Sequence, residues 1–349
     1  MGRRFLDDRQ IIEATWPKYT LLAAIGQGRY GAVYELVCPS EPSVRQAVKV
    51  IHVPNMPADV QEVSKSLHLA SKEDVRDYFK PSIQSYMQEV KAMIKLARHA
   101  DTDYVVALDD YKLYEIKDPL SWMILIRMEY LEPLYKQLSL AHIMPLEQVL
   151  HIGHDVAMAL AACHRNRIIH KDVKATNILC RPDGGYKLGD FGFATHLKNR
   201  KSAAFLIHHP NDDHVKRGTF DYSAPELLLD KPYDYTVDEY SLGILLYRLL
   251  NRNRFPFMPI DEVPTADIMR EARIRRLGLE HFPAPVDAPA PLARIIMKAC
   301  SPTPWDRYTS MESFIKDYTA YLDLEGYDFS PPSRHIKPYL LPSSSEQPS

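Results

Sequence analysis

Cysteine is scarce in this chain. Cys38, Cys163, Cys180 and Cys300 are its only four in 349 residues, and no two share a paired spacing. That excludes a disulfide framework, argues against a thiolate metal site and leaves free thiols, buried or half-buried, as the expectation. Long apolar runs are also missing. The best stretches, 241–250 and 122–126, fall far short of the ~18 residues a membrane-spanning helix needs. The opening MGRRFLDDRQ lacks the apolar core of a signal peptide, and Leu6 stands where a myristoylation pattern on Gly2 wants Ser or Thr. There is little net charge: 43 Lys and Arg against 45 Asp and Glu leave −2, so nothing global points to nucleic acid or to an anionic membrane. No internal repeat is visible. These absences set the expectation of a cytoplasmic, globular chain with no membrane span and no nucleic-acid partner. Its length allows two lobes or two domains. Oligomeric state is not legible.

What is present centres on residues 168–179, IIHKDVKATNIL. His170, Asp172, Lys174 and Asn177 crowd into one span between an apolar helical segment and an apolar strand. Neither a helical nor a strand period links the polar positions, which suggests a loop whose side chains converge. A carboxylate, an ammonium and a carboxamide together suit phosphoryl transfer: one orients a hydroxyl, one neutralises phosphate, one holds a metal ion. A polar surface loop is the plain alternative.

Along the chain, residues 1–17 read as a polar lead-in with one short amphipathic turn at Ile11 and Ile12. A strand-like run at 19–25 leads into GQGRYGAV, with Gly26, Gly28 and Gly31. A dinucleotide fingerprint needs a helix after its glycines. Here the β pattern AVYELV follows, so the glycines belong to a strand–loop–strand flap whose backbone can approach phosphates. Lys49 lies one strand later, in 46–52. Residues 54–80 read as a polar, proline-interrupted insert with a weak helical pattern. A firmer helix spans 82–98, with Tyr86, Val90, Met93, Ile94 and Ala97 on one stripe and Glu89 beside it. Strands are expected at 104–114 and 121–130, a break at Glu132-Pro133, and a strong amphipathic helix over 146–164. The Pro- and Ser-rich end reads as a disordered tail. The pattern is α+β, with residues 18–131 mostly β around one main helix and residues 132–328 mostly helical, followed by the tail at 329–349.

Asp190-Phe191-Gly192, Gly218-Thr219 and Ala224-Pro225-Glu226 follow in order. Over about residues 19–325 the chain resembles the eukaryotic-like serine/threonine protein kinases. The phrase DEYSLGILLYRLLNRNRFPF adds a resemblance to their bacterial branch. The resemblance implies a bilobal protein-kinase-like fold and transfer of the ATP γ-phosphoryl group, with Mg²⁺ or Mn²⁺, to Ser and Thr hydroxyls of protein substrates, including itself. It implies that Gly26, Gly28 and Gly31 cover the phosphates, that Val33, Ala47 and Leu179 pack on adenine, and that Met128, Glu129, Tyr130 and Leu131 form the adjoining hinge. Lys49 would pair with the phosphates and with Glu89, Asp172 would act at the acceptor hydroxyl, and Lys174 would touch the γ-phosphate. Asn177 and Asp190 would hold the metal. Glu226 would pair with Arg307, Asp238 would anchor the loop backbone, and His170, Phe191, Met93 and Leu108 would stack in an apolar spine. Lys174 and Thr219 match the serine/threonine pattern. A scaffold protein without activity would lack one of these groups, and a small-molecule phosphotransferase would have no use for the Gly218-to-Glu226 stretch.

Two departures stand out. Lys171 sits where many relatives carry Arg, replacing a two-pronged phosphate contact by a point charge. The 54–80 insert separates Lys49 from Glu89 by forty residues, with Glu62 as a rival partner that lacks an apolar stripe. The segment between Asp190 and Glu226 is locally basic and holds His196, His208, His209 and His214, whose spacing matches no common zinc site. Acidic substrates, or a phosphate on Ser202 or Thr219, would suit it.

Overall fold

A computed structural model describes residues 2–28, 31–54, 57–67, 71–97, 102–117, 120–138, 143–196 and 220–329. The chain divides into two compact units. The first comprises residues 1–97 and 106–131, the second residues 98–105 and 132–349. The architecture is α+β, with a five-stranded sheet in the first unit and mostly helix in the second.

The first unit begins with a helix, α1 (Gly2–Thr15), where a short turn in a polar lead-in is expected. Strands β1 (Thr20–Gly28), β2 (Gly31–Cys38) and β3 (Glu41–Val53) follow, then α2 (Pro57–Ser66), α3 (Lys72–Ala97), β4 (Leu108–Lys117) and β5 (Leu120–Glu129). The sheet is antiparallel in the order β1-β2-β3-β5-β4. Side chains alternate across it. Val48 and Val50 of β3 join Leu21, Tyr34, Leu36, Met123 and Leu125 in a core completed by Ile12 and Trp16. Trp16 also donates its Nε1–H to Asp110 at 2.8 Å, and the Arg127 guanidinium lies 5.1 Å from its ring centre. A few apolar side chains therefore turn a polar segment into part of the core.

The expected insert is also largely helical. Helix α2 occupies part of it, and α3 starts at Lys72, ten residues before the expected helix, running on through Pro81. Pro81 removes one backbone donor. The turns before it are nonetheless anchored by buried Val75 and by Phe79, whose ring lies 6.0 Å from that of Trp122. The strand expected from residue 104 starts instead at Leu108. Residues Thr102–Tyr104 form a single 3₁₀ turn, and Val105 and Val106 are buried as connecting chain.

The second unit contains β6 (Glu132–Pro133), α4 (Leu146–Arg165), β7 (Ile168–Ile169), β8 (Ile178–Cys180), β9 (Tyr186–Leu188), β10 (Thr195–His196), α5 (Pro225–Leu228), α6 (Thr236–Leu249), α7 (Ala266–Leu277), α8 (Ala290–Ala299) and α9 (Met311–Glu325). The expected break at Glu132-Pro133 is a two-residue strand paired with β8. Helix α6 is buried on nearly every side, as befits a central helix. Helices α4 and α9 meet at Gly153. A Cβ there would lie 2.2 Å from the Tyr318 hydroxyl, which donates to the Leu150 carbonyl at 3.1 Å. Phe329, assigned to a disordered tail by its Pro- and Ser-rich surroundings, is buried. Residues 330–349 lie outside the described residues.

Helix α6 carries an unexpected acid. Glu239 is wholly buried, and neither carboxyl oxygen has a hydrogen-bond partner among the described residues. Burial pushes its carboxyl up to about 8. Between its ordinary 4.5 and about 8 the folded chain holds a proton that the unfolded chain releases. Stability therefore falls as pH rises through that window. Glu239→Gln removes this slope. Its melting temperature should match wild type near pH 4.5 and exceed it increasingly up to pH 8, a gain on the order of a few kcal/mol. Parallel slopes in thermal melts from pH 5 to 9 would refute it. Trp16→Ala should cost the first unit about 3–5 kcal/mol, read as a lowered denaturant midpoint.

Candidate active site

The first unit sets an ion pair at the middle of its sheet. Lys49 lies on β3, flanked by Val33 of β2 and Ile126 of β5. It points away from the α1 face, and its Nζ reaches Glu89 Oε1 at 2.7 Å and Oε2 at 3.0 Å. Glu89 is 2 % exposed, on the buried stripe of α3. A carboxylate so deeply placed needs a cation, and the pair fixes where the ammonium sits. Glu62 is exposed on α2. Ala47 is buried opposite Met128. Glu129 accepts from the Ala107 N–H at 2.6 Å, the Arg45 guanidinium lies 3.9 Å from the Tyr130 ring centre, and Leu131 ends the unit half-buried.

The glycines differ from one another. A Cβ on Gly26 would make only ordinary contact with Val33, whereas one on Gly31 would fall 1.9 Å from the Val50 carbonyl oxygen. Gly31 is required by the sheet itself, whatever else it does. Gly26 and Gly28 end β1 and Gly31 opens β2, so a β-hairpin carries all three.

In the second unit the loop after β7 hangs from Asp238 on α6. This wholly buried carboxylate accepts from the His170 N–H at 2.9 Å, the Lys171 N–H at 2.7 Å and His164 Nε2 at 2.9 Å. Burial alone would raise its pKa, but the His164 contact and the neighbouring donors outweigh it and hold Asp238 below its ordinary value. The loop is thereby kept in a costly shape: Lys171 has φ of 64°. Asp172 is 2 % exposed, and its Oδ2 meets Lys174 Nζ at 2.9 Å and Asn177 Nδ2 at 2.8 Å. Burial raises the Asp172 carboxyl, and the charge of Asp190 acts in the same direction against Lys174. The side chains of 172, 174 and 177 do converge.

Asn177 and Asp190 are set by one hairpin. Strand β8 starts immediately after Asn177, and β9 ends two residues before Asp190. The Gly189 N–H closes the mouth by donating to the Asn177 carbonyl at 2.8 Å. Asp190 is exposed, with φ of 57°. Leu179 lies in β8 opposite Pro133 and Lys187. His170 and Phe191 meet edge to face at 4.8 Å, and His170 Nε2 lies 3.1 Å from the Gly189 carbonyl. Within the first unit Met93 is buried and Leu108 half-buried.

Lys171 is half-buried, with Nζ 5.9 Å from the Tyr233 ring centre. Burial pulls its ammonium down to about 8, partly offset by Asp238. Gly218, Thr219, Ser202, His208, His209 and His214 lie outside the described residues, as does the side chain of His196. Two features had no signal in the motifs: Tyr222 hydrogen-bonds Arg248 and the Ala175 backbone, and Asp221 takes both prongs of Arg273 at 2.6 and 2.9 Å.

Glu226 and Arg307 form a two-pronged pair at 2.6 and 2.9 Å. The remaining guanidinium N–H groups go to the carbonyls of Ser301, Thr236 and Pro302. All five donors are used, which is what permits a charge this deep. Arg307→Leu strands Glu226 and should cost about 3–5 kcal/mol. A denaturation midpoint within error of wild type would contradict this.

A family model for the protein kinase domain matches residues 19–319. The chain is 32 % identical over 189 residues to cGMP-dependent protein kinase 2 of Rattus norvegicus, covering 54 % of this chain and 22 % of that protein. It is 28 % identical over 174 residues to Aurora kinase C of Mus musculus, covering 50 % and 56 %. To the serine/threonine-protein kinase TIO of Arabidopsis thaliana it is 42 % identical over 106 residues, covering 30 % and 7 %. The chain thus spans under a quarter of the length of the first of these. Because the family model covers most of the sequence, and the sheet, the loop and the hairpin lie inside the match, the chain belongs to the protein kinase domain family.

Proposed function

We propose that the chain is an ATP-dependent serine/threonine protein kinase. The observation that carries this is the Asp172 carboxylate, buried and held at one oxygen by both Lys174 and Asn177. A carboxylate so fixed can orient an acceptor hydroxyl and accept its proton as the oxygen attacks phosphorus. Lys174 neutralises charge on the transferred group while keeping Asp172 in place. In the first unit Lys49, oriented by Glu89, binds the α- and β-phosphates, and the glycine hairpin supplies backbone N–H groups to them. Met128, Glu129 and Leu131, with Val33 and Ala47, are the adenine contacts by family resemblance.

A divalent ion fits the residues present. Asn177 and Asp190 offer a carboxamide and a carboxylate, hard oxygen donors, at the two ends of one hairpin. Mg²⁺, or Mn²⁺ in its place, would be held there and would neutralise the β- and γ-phosphate oxygens. Asp190 reaches solvent while Asn177 is bound to Asp172, so the chain itself joins the metal group to the hydroxyl group.

Protein substrates with Ser or Thr acceptors follow from the names of the relatives and from Lys174, and autophosphorylation at Ser202 or Thr219 is part of the proposal. A cytoplasmic location and the absence of a nucleic-acid partner are proposed from composition. Among the described residues no helix is long and apolar enough to cross a membrane. The relatives named above come from a rodent or a plant, and they lend no support to a bacterial branch.

Transfer of labelled phosphate from ATP to a generic protein acceptor tests the reading. Asp172→Asn should lower the rate at least ~100-fold with little change in melting temperature, and Lys49→Met should do likewise. Equal silence of wild type and Asp172→Asn with both Mg²⁺ and Mn²⁺ would favour a scaffold role.

A further inference from the structure

The hairpin that bears Asn177 and Asp190 is held from behind by a group outside every motif. Asp155 on α4 is wholly buried, and its Oδ2 accepts from the Tyr186 N–H at 2.9 Å, the first residue of β9. Two histidines of the same helix face it: His151 Nε2 at 3.3 Å and His154 Nδ1 at 2.9 Å. Burial pushes the Asp155 carboxyl up, but both histidines and the Tyr186 N–H outweigh it and hold the group charged, well below the ordinary carboxylate range.

The chain beyond α9 seals this cluster. Gly326 ends α9 in the left-handed conformation, φ 76°, and turns the chain. Phe329 then stacks face to face on His151, ring centres 4.7 Å apart and planes within 4°, and approaches His154 at 6.0 Å. Tyr327 stacks on Phe329 at 6.1 Å, and Tyr186 meets the edge of His151 at 5.5 Å. His151 is 0 % exposed and Phe329 only 6 %. An aromatic plug thus excludes water from a charged acceptor, and an electrostatic contact is stronger where water is absent.

We propose that Phe329, His151 and Asp155 act as a positioning strut for the β8–β9 hairpin, setting the separation of Asn177 and Asp190 and through it the divalent-ion affinity of the enzyme. The proposal rests on the kinase reading for the role of those two ends. The strut itself does not. With Phe329 in place the Tyr186 N–H has a dry, charged partner. Without it, water competes for Asp155, the hairpin frays, and Asp190 loses its fixed distance from Asn177. None of the three touches substrate.

Hydrogen exchange of the full chain, followed by mass spectrometry, is the decisive measurement. In Phe329→Ala the amides of 178–190 should exchange ~10-fold faster, while those of α6 and α8 keep wild-type rates. Phe329→Tyr should restore protection, and Asp155→Asn should reproduce the loss. Binding of Mn²⁺ in the presence of ADP, read by electron paramagnetic resonance, should weaken by ~3–10-fold in Phe329→Ala. Unchanged exchange over 178–190, or an equal rise across the whole second unit, would overturn the strut, since Phe329 would then be ordinary packing. Failure of the wild-type protein to take up Mn²⁺ with ADP would count against the kinase reading instead, and the exchange data would still decide the strut.

Discussion

The loop that carries Asp172 depends on one buried carboxylate. Asp238 spends both oxygens on the loop and its neighbour, taking two successive backbone N–H groups, His170 and Lys171, and the His164 ring. Three donors on one charge in a dry core make a rigid fixture. That fixture lets Lys171 keep a left-handed backbone, which a lysine would otherwise leave. From Lys171 the chain needs only one more residue to reach Asp172. Place Asp238 elsewhere on α6 and the convergence of Asp172, Lys174 and Asn177 has no support.

The same logic recurs through the molecule. Glu89 has Lys49, Glu226 has Arg307, and Asp155 has two histidines. Each of these buried acids is matched by a basic side chain at 2.6–3.3 Å. Such pairs contribute modest net stability, because desolvation offsets most of the attraction. Their yield is geometry: a charge with one low-energy position holds its partner within a few tenths of an ångström. Glu239 breaks the pattern, being as deep as Asp238 and without a hydrogen-bond partner among the described residues, and burial drives it toward protonation.

Much of this was legible in the chain. Alternation marked β2 and β3, β5 matches the strand expected over 121–130, and the 3.6-residue period marked α4 within a residue of its ends. Asp172, Lys174 and Asn177 could be picked out because reactive residue types stand at spacings that serve no helix or strand, whereas Lys49 and Glu89 are paired through the family resemblance. What escaped has a common cause. Helix α1 and the early turns of α3 are polar segments carried by two or three deep side chains, Ile12 and Trp16 in one and Val75 and Phe79 in the other. Their order comes from packing, which no local window contains. A lone Phe329 amid prolines and serines reads as tail until its partner on α4, 178 residues earlier, is known. Residues 104–107 misled in the opposite sense, since an apolar run buried as a connection looks like a strand.

The placement of Trp16 bears on where this domain physically begins. The family match opens at residue 19, three residues after it. A boundary drawn there would strip Ile12 and Trp16 from the sheet and leave Leu21, Leu36, Val48 and Val50 facing water. Such an apolar sheet face invites association with other exposed faces. The apolar core of the first unit therefore extends beyond the family match. A gene fusion or chimera joined at residue 19 would inherit the family's motifs but not a covered sheet.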